Sequence, residues 1–424
     1  MAHTIGLLGF GTVGSAVHRL LGEGAGAIER VTGQPVEVVA ALVRDPARHA
    51  DAPEGVLTTD FARLRDDPTI SVVAEVMGGI DPTREYVLAL LGAGKSVVSA
   101  NKQLLSQHGD ELFGAAERNG VQLRFEASVC AAIPVVKVLR ESLVVSNVHR
   151  VLGIVNGTTN FMLSRIERGG SYADALAEAQ ELGYAEADPT DDVSGADAAA
   201  KMAILATVAF GSRVRFEDVQ CRGIEELEAA HVAAAAQLGM VIRLVGIATH
   251  ADGAVDVRVQ PALVERSHPL AAVDGAFNAV MLQGDAIREI TLEGPGAGGV
   301  ETASAVVADL VSVVGTSGTG FLQNDACWRE LPLLPSSEWR SPFYVHLEVS
   351  DRPGVLAHAA SRLAAHDVSV AQLVQRLEDG AATLELVLHR ATLGAVSAAL
   401  REIAAFPEVL RPPFVLPVIT ASGQ

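Results

Sequence analysis

The richest chemistry in this 424-residue sequence lies in Ala179-Gln180-Glu181-Leu182-Gly183-Tyr184-Ala185-Glu186-Ala187-Asp188-Pro189-Thr190-Asp191-Asp192-Val193-Ser194-Gly195-Ala196-Asp197-Ala198-Ala199-Ala200-Lys201. Many carboxylates stand there between two helical segments, and one lysine closes the run. Asp197 and Lys201 are four residues apart, so on a helix they share a face. On a wet surface such a pair is worth only about 0.3–0.5 kcal/mol. Here alanines surround it and Met202-Ala203-Ile204-Leu205-Ala206 follows, the pattern of a buried helix, so the charges need another reason. By itself Glu186 reads as a loop carboxylate. Asp188, Asp191 and Asp192 read as turn and cap residues, with Asp192 just before the helix, where an acid suits the dipole.

A second constellation is Gly9-Phe10-Gly11-Thr12-Val13-Gly14, which fits G-x-G-x-x-G after a strand and before a helix. Gly9 permits the tight turn, Gly11 lets the backbone approach a pyrophosphate, and Gly14 lets helix pack on strand. The helix start then offers N–H groups to the phosphates. Specificity is read at the end of the second strand, where an acid suits the ribose of NAD and an arginine the 2′-phosphate of NADP. Val43-Arg44-Asp45 puts Arg44 first, which favours NADP(H) and leaves NAD(H) open; equally, Arg44 is a surface charge and Asp45 caps the next turn. Lys102 follows the strand 96–100, at the edge where ligands sit in doubly wound sheets, or it starts a helix at the surface.

These residues need a scaffold. Apolar strands at 4–8, 36–43, 70–76, 96–99 and 121–125 alternate with helical stretches such as 13–22 and 82–92, which predicts an α/β fold with a doubly wound parallel Rossmann sheet over residues 1–130. Residues 131–299 change pattern: a strand at 149–155, a helix begun by Ser171 with Asp174 in the capping-box position and Gly183 ending it, a helix at 194–210, then strands at 241–249 and 255–260. This reads as an α+β second domain, expected to bind substrate and to dimerise. Gly294-Pro295-Gly296-Ala297-Gly298-Gly299 is a hinge before an apolar helix at about 300–315 that returns to the first domain. A Gly-, Ser- and Pro-rich linker covers 316–342. Residues 343–424 then read strand 343–349, helix 354–365, strand 368–376, strand 381–388, helix 392–404 and strand 413–419, a ferredoxin-like βαββαβ order.

Composition narrows the partners. A net charge of −19 argues against nucleic acid and anionic membranes, and requires any anionic ligand to find a local positive site. Aromatic residues are only 4%, so the core must be Ala, Val and Leu, which suits helix-on-sheet packing. Cys130, Cys221 and Cys327 are far apart and in no metal-ligand spacing, which predicts reduced thiols. Neither a signal peptide nor a spanning apolar run stands out, so a cytoplasmic protein is expected.

The stretch 179–201 resembles the signature of homoserine dehydrogenases at Ala179, Gly183, Tyr184, Asp188, Pro189, Asp192, Val193, Gly195, Asp197 and Lys201. Further family-like segments follow in order along the whole chain: the glycine turn, Glu75-Val76-Met77-Gly78-Gly79, Ser99-Ala100-Asn101-Lys102, Phe125-Glu126-Ala127-Ser128-Val129, Asn156-Gly157-Thr158-Thr159-Asn160 and Gly294-Pro295-Gly296-Ala297-Gly298. The resemblance implies NAD(P)H-dependent interconversion of L-aspartate 4-semialdehyde and L-homoserine, on the way to threonine, isoleucine and methionine. It implies Lys201 as proton donor in reduction, Lys102 as a second cation near nicotinamide and reacting oxygen, and Asp197 as the group that orients substrate and steadies Lys201. Two lysines in one pocket should depress each other's pKa. Glu186 would take the substrate ammonium, Gly183 would lie beside the cofactor, and Gly298 with Glu186 would complete its site. The family also binds a monovalent cation, usually sodium, through backbone carbonyls, which map to Glu126, Val129, Ala131 and Ile133. Relatives commonly have glycine within the run that reads Cys130-Ala131-Ala132 here, and a position needing positive φ resists alanine.

Leu347-Glu348-Val349-Ser350-Asp351-Arg352-Pro353-Gly354-Val355-Leu356 resembles the entry to an ACT domain, which implies feedback inhibition by L-threonine with Asp351, Gly354 and Val355 as contacts. With no aspartate kinase segment ahead of residue 1, a monofunctional enzyme is expected. Relatives pair through the second domain, so a homodimer or homotetramer is expected. A dehydrogenase of another amino-acid aldehyde and a catalytically dead amino-acid sensor compete with this reading. The joint presence of Lys102, Glu186, Asp197 and Lys201 argues against the sensor.

Overall fold

The computed structural model describes residues 2–49, 52–227, 231–232, 235–236, 239–251, 253–315, 335–378 and 381–417. Cys327 and most of the expected linker lie outside them. The chain divides into two compact units, Met1–Trp328 and Arg329–Gln424.

The first unit opens with six parallel strands: β1 (His3–Leu8), β2 (Val36–Leu42), β3 (Leu57–Thr58), β4 (Ile70–Glu75), β5 (Ser96–Ser99) and β6 (Leu123–Arg124). Their order is β3-β2-β1-β4-β5-β6, the dinucleotide-binding arrangement. Period-2 alternation puts Ile5 and Leu7 on one face and Leu8 on the other. The first face is covered by α1 (Thr12–Glu23), α2 (Ala25–Thr32) and a helix from far along the chain, whose Ala303, Val306 and Leu310 are fully buried there. The second face is covered by α3 (Thr83–Gly92) and α4 (Lys102–Asn119). Two residues make β3 and two make β6, where a longer strand was expected over 121–125; pairing with a neighbour, not periodicity, defines such short strands.

A second sheet runs β12-β11-β7-β9-β10-β8, with β7 (Val148–Ile154), β8 (Gln220–Cys221), β9 (Met240–Ala251), β10 (Ala254–Glu265), β11 (Phe277–Gly284) and β12 (Arg288–Pro295). Helices α5 (Gly157–Glu167), α6 (Tyr172–Glu181) and α7 (Ala196–Phe210) join it. Ser171 caps α6 by accepting from the Asp174 amide, and Gly183 follows the C-cap at φ +76°, both as read from the sequence. Gly153 and Gly246 face each other across β7 and β9, and Met202 of α7 occupies the room they leave. A Cβ on Gly246 would stand 2.4 Å from Met202 Cγ. This close approach seats Lys201, the preceding residue, against the end of β7. Helix α8 (Gly299–Gly315) closes the unit by returning to the first sheet.

The second unit holds β13 (Arg340–Ser350), α9 (Val355–Ala365), β14 (Val370–Glu378), β15 (Ala381–Thr392), α10 (Leu393–Ala404) and β16 (Phe414–Pro417). The antiparallel sheet order β14-β15-β13-β16 is ferredoxin-like. Phe343, Val345, Leu347 and Val349 point from β13 into a core shared with α9 and α10. Strand β13 starts inside the stretch read as linker. Gly354 enters α9 at φ +94°, and Asp351 and Gly354 are exposed, but the Val355 side chain is in the core, so only its main chain is free to meet a ligand.

Candidate functional site

Strand β1 delivers the chain to Gly9, whose φ of +103° suits a residue without Cβ. A Cβ on Gly14 would come within 2.4 Å of the Gly9 carbonyl oxygen, so only glycine lets α1 start this close to the turn. Beside Gly11, the N-cap of α1, no atom lies within 4 Å of where a Cβ would be. The cradle therefore has the tight turn, the open approach and the close packing that a pyrophosphate site needs. A Cβ on Gly299 would lie 2.7 Å from Thr12 Cγ2, so Gly298 and the start of α8 adjoin the start of α1. Phe10 is buried against the rings of His18 and His49 and can contribute only main chain, while Val13 packs on the core. After β2, Arg44 is exposed. Asp45 accepts from the Ala47 amide at 3.1 Å and pairs with Arg48 at 3.6 Å, so its carboxylate serves the turn.

On the same edge of the sheet, Glu75 organises the approach to Lys102. It is fully buried at the end of β4 and accepts from Ser99 Oγ at 2.6 Å and from the amides of Met77 and Gly78 at 3.0 and 3.1 Å. Burial pushes its pKa up, against those hydrogen bonds. Asn101 donates to the Gly79 carbonyl at 2.6 Å and caps α4 by accepting from Leu104 N. Lys102 is thereby fixed as the first residue of α4.

Lys102 and Lys201 meet on one carboxylate. Lys102 Nζ lies 2.5 Å from Asp197 Oδ1, and Lys201 Nζ lies 2.8 Å from Asp197 Oδ2. Lys201 also donates to the Val155 carbonyl at 2.8 Å, and Asn156 Nδ2 bridges Asp197 Oδ2 (2.9 Å) and Asp192 Oδ1 (2.6 Å). Asn156 is oriented by the amide of Thr159, which it caps at 2.8 Å. The Lys201 side chain is 10% exposed against 38% for Lys102, so solvent reaches the pocket past Lys102. Burial alone would lower the Lys201 pKa, but Asp197 outweighs it and the pKa lies above the ordinary lysine value. Burial alone would raise Asp197; the two lysines outweigh it and hold the carboxyl well below the usual range. The expected mutual depression of the lysines is thus replaced, for Lys201, by a shared counter-ion. Burial raises Asp192, and it pushes the nearby Cys130 thiol up to about 11, which keeps the thiol neutral.

The loop 183–187 is tied to this cluster by backbone, Thr158 Oγ1 donating to the Tyr184 carbonyl at 2.6 Å and Gln180 to the Glu186 carbonyl at 3.1 Å. Gly183 and Glu186 are exposed, and among the described residues Glu186 forms no ion pair. The expected cation loop is buried. Glu126 accepts from the amides of Val136 and Lys137, both at 2.8 Å, and its own amide donates to Asp309 of α8 at 2.9 Å. Burial, with Asp309 adding to it, raises the Glu126 carboxyl to about 7. Cys130 and Ala131 adopt φ of 55° and 39°, the left-handed region that glycine would fill without strain. The carbonyls of Glu126 and Ile133 each accept one backbone N–H, which leaves each a lone pair. Asn156, Asp192 and the Val155 carbonyl are site members that the spacing of carboxylates and lysines did not reveal. The available signal was an Asn-Gly-Thr-Thr helix start directly after a strand.

A Rossmann sheet with its phosphate turn, and a proton-bearing lysine buried beside it, define a dinucleotide-dependent oxidoreductase. Residues 9–126 match the family model for the NAD binding domain of homoserine dehydrogenase, and residues 134–311 match the homoserine dehydrogenase model. Homoserine dehydrogenase of Corynebacterium glutamicum is 44% identical over 96% of this chain and 93% of its own length, and that of Synechocystis 39% over 99% and 100%. The crystal structure of a homoserine dehydrogenase from Thiobacillus denitrificans covers 98% of both chains at 39% identity with a TM-score of 0.73. A hyperthermophilic archaeal homoserine dehydrogenase in complex with NADPH covers 75% of this chain at 29% identity and a TM-score of 0.64. The chain belongs to the homoserine dehydrogenase family. Among the described residues no helix is long and apolar enough to cross a membrane.

Proposed function

We propose that this chain reduces L-aspartate 4-semialdehyde to L-homoserine with Lys201 as the proton donor. The observation that carries this is the Lys201 ammonium, buried and held charged by Asp197, with two of its three N–H donors on Asp197 and the Val155 carbonyl. The third is available to the aldehyde oxygen. Lys102, on the other oxygen of Asp197, stabilises the negative charge that grows there. The bound dinucleotide supplies the hydride to the aldehyde carbon. Glu186, exposed and without an ion-pair partner among the described residues, takes the substrate ammonium, and the main chain at Gly183 lines the cofactor side. NADPH is preferred to NADH, because Arg44 is free at the ribose position while Asp45 is committed to its turn.

The carbonyls of Glu126, Val129, Ala131 and Ile133 would hold a monovalent cation such as sodium, an all-oxygen neutral donor set suited to a hard ion, and would thereby fix the loop beside Lys201. The ferredoxin-like unit acts as an ACT domain that senses L-threonine at Asp351, Gly354 and the main chain of Val355. The enzyme works in the cytoplasm as at least a homodimer, in the route to threonine, methionine and isoleucine.

The decisive measurement is Lys201→Ala. The reduction rate should fall by roughly 10²–10⁴ while NADPH binding, followed by its fluorescence, persists. Retained turnover would remove Lys201 from the role. A panel of amino-acid semialdehydes with NADPH and NADH, with and without threonine, tests substrate, cofactor and effector together.

A further inference from the structure

The two lysine-bearing helices enclose a second cavity, further along both from the reacting groups. It has a volume of about 290 Å³. Leu105, Phe113 and Phe125 wall it on the dinucleotide-binding side, and Ile204, Val208 and Val214 on the other. Its rim carries Arg213, Arg215 and Asp110, two cations to one anion in a chain of net charge −19. Arg213 pairs with Asp110 across the gap between α4 and the end of α7, and both side chains are about half exposed. Among the described residues Arg215 has only a loose ion pair, Glu217 at 3.7 Å.

Two features tie this cavity to the site. Lys102 stands three residues before Leu105 on α4, and Lys201 three residues before Ile204 on α7, so one helical turn separates each lysine from the cavity wall. Helix α4 also breaks at His108, which has φ −125° and ψ 15°, between wall residues on either side. The segment 102–107 is therefore set off from the rest of the helix by a kink, with Lys102 at one end and the cavity at the other.

We propose that this cavity is a regulatory site for a small apolar carboxylate, whose hydrocarbon body lies between α4 and α7 and whose carboxylate takes the place of Asp110 on Arg213. The size suits a ligand of one ring and a short chain. A carboxylate on a planar guanidinium gains two parallel hydrogen bonds, and the released Asp110 returns to water. An occupant sets the spacing of Leu105 and Ile204, and through one turn of each helix the grip of both lysines on Asp197. The predicted effect is on kcat rather than on KM for the semialdehyde.

The test uses the full chain and 3-phenylpropionate as the probe, with 3-phenylpropanamide as its neutral counterpart. Calorimetry should show saturable binding of the acid to wild type, with Kd unchanged by saturating homoserine. Arg213→Gln should weaken it by roughly tenfold or more and bring acid and amide level. Val208→Trp fills the cavity and should abolish binding, so that adding the acid no longer changes kcat. Should Val208→Trp fail to fold, Val214→Trp blocks the cavity from the loop side. Absence of saturable binding to wild type, displacement of the probe by homoserine, or binding that survives the tryptophan would each overturn the proposal.

Discussion

Asp197 and Lys201 face each other across one turn of α7 at 2.8 Å, and both are buried. A buried pair is weak evidence for stability, because desolvation consumes most of what the charges gain. What the pair does set is a proton. With Lys102 on its other oxygen, Asp197 is a single anion between two ammonium groups, and it keeps Lys201 charged in a place where burial alone would lower its pKa.

Asp197→Asn should therefore move the pH dependence as well as the rate. Without the anion, burial and the neighbouring Lys102 both favour neutral Lys201, and its pKa falls. Reduction needs the protonated form, so the alkaline limb of kcat against pH should shift to lower pH by roughly 1–3 units, the contribution of one close opposite charge. The rate at neutral pH should drop as well. An unchanged alkaline limb would mean that Lys201 is not the group being titrated.

The same pair predicts a flat contribution to stability across neutral pH. The Asp197 pKa is lowered on folding, so its stabilisation is present above the unfolded value of about 3.9 and is lost only as pH falls through the folded value. The Lys201 pKa is raised, so its share is present below about 10.4 and is lost as pH rises through the folded value. The difference in melting temperature between wild type and Asp197→Asn should be constant between about pH 5 and 7, and should shrink at higher pH, where the lowered Lys201 pKa of the variant makes its stability rise with pH. A marked slope in that window would assign the coupling to another group.

Local features were legible in the sequence, and features made by distant contacts were not. The Asp197–Lys201 pair, the Ser171 cap and the jobs of Gly9 and Gly14 depend on residues within a turn or two of each other, so spacing alone reveals them. Asn156 reaches Asp197 from 41 residues away and Asp192 from 36, and that bridge exists only once β7 and α7 are packed. For the same reason Asp192 read as a cap, although its carboxylate belongs to the cluster. Glu75 read as the end of a strand; that it also holds Ser99 follows from the pairing of β4 with β5.

The glycine turn separates binding from folding. Gly11→Ala puts a methyl group into open space, so the melting temperature should hold while NADPH affinity falls tenfold or more, because the methyl stands where the pyrophosphate approaches. Gly14→Ala puts its methyl 2.4 Å from a backbone oxygen that cannot swing aside, so it should lower both melting temperature and affinity. Equal effects of the two substitutions on stability would contradict this division of labour.

Ala131 offers a test of backbone strain one residue from Cys130, close to Lys201. Its φ of 39° lies in the left-handed region, which costs an L-residue roughly 1–2 kcal/mol. Glycine there removes that cost but adds about 0.5–1 kcal/mol of chain entropy, so Ala131→Gly should stabilise the protein by up to about 1.5 kcal/mol. Ala132, next in the chain, is not among the residues with positive φ. Ala132→Gly adds only the entropy and should destabilise by about 0.5–1 kcal/mol. Thermal melting of the two variants should thus give shifts of opposite sign from adjacent alanines. Two shifts of the same sign would mean that the left-handed turn at Cys130–Ala131 stores no strain that glycine can release.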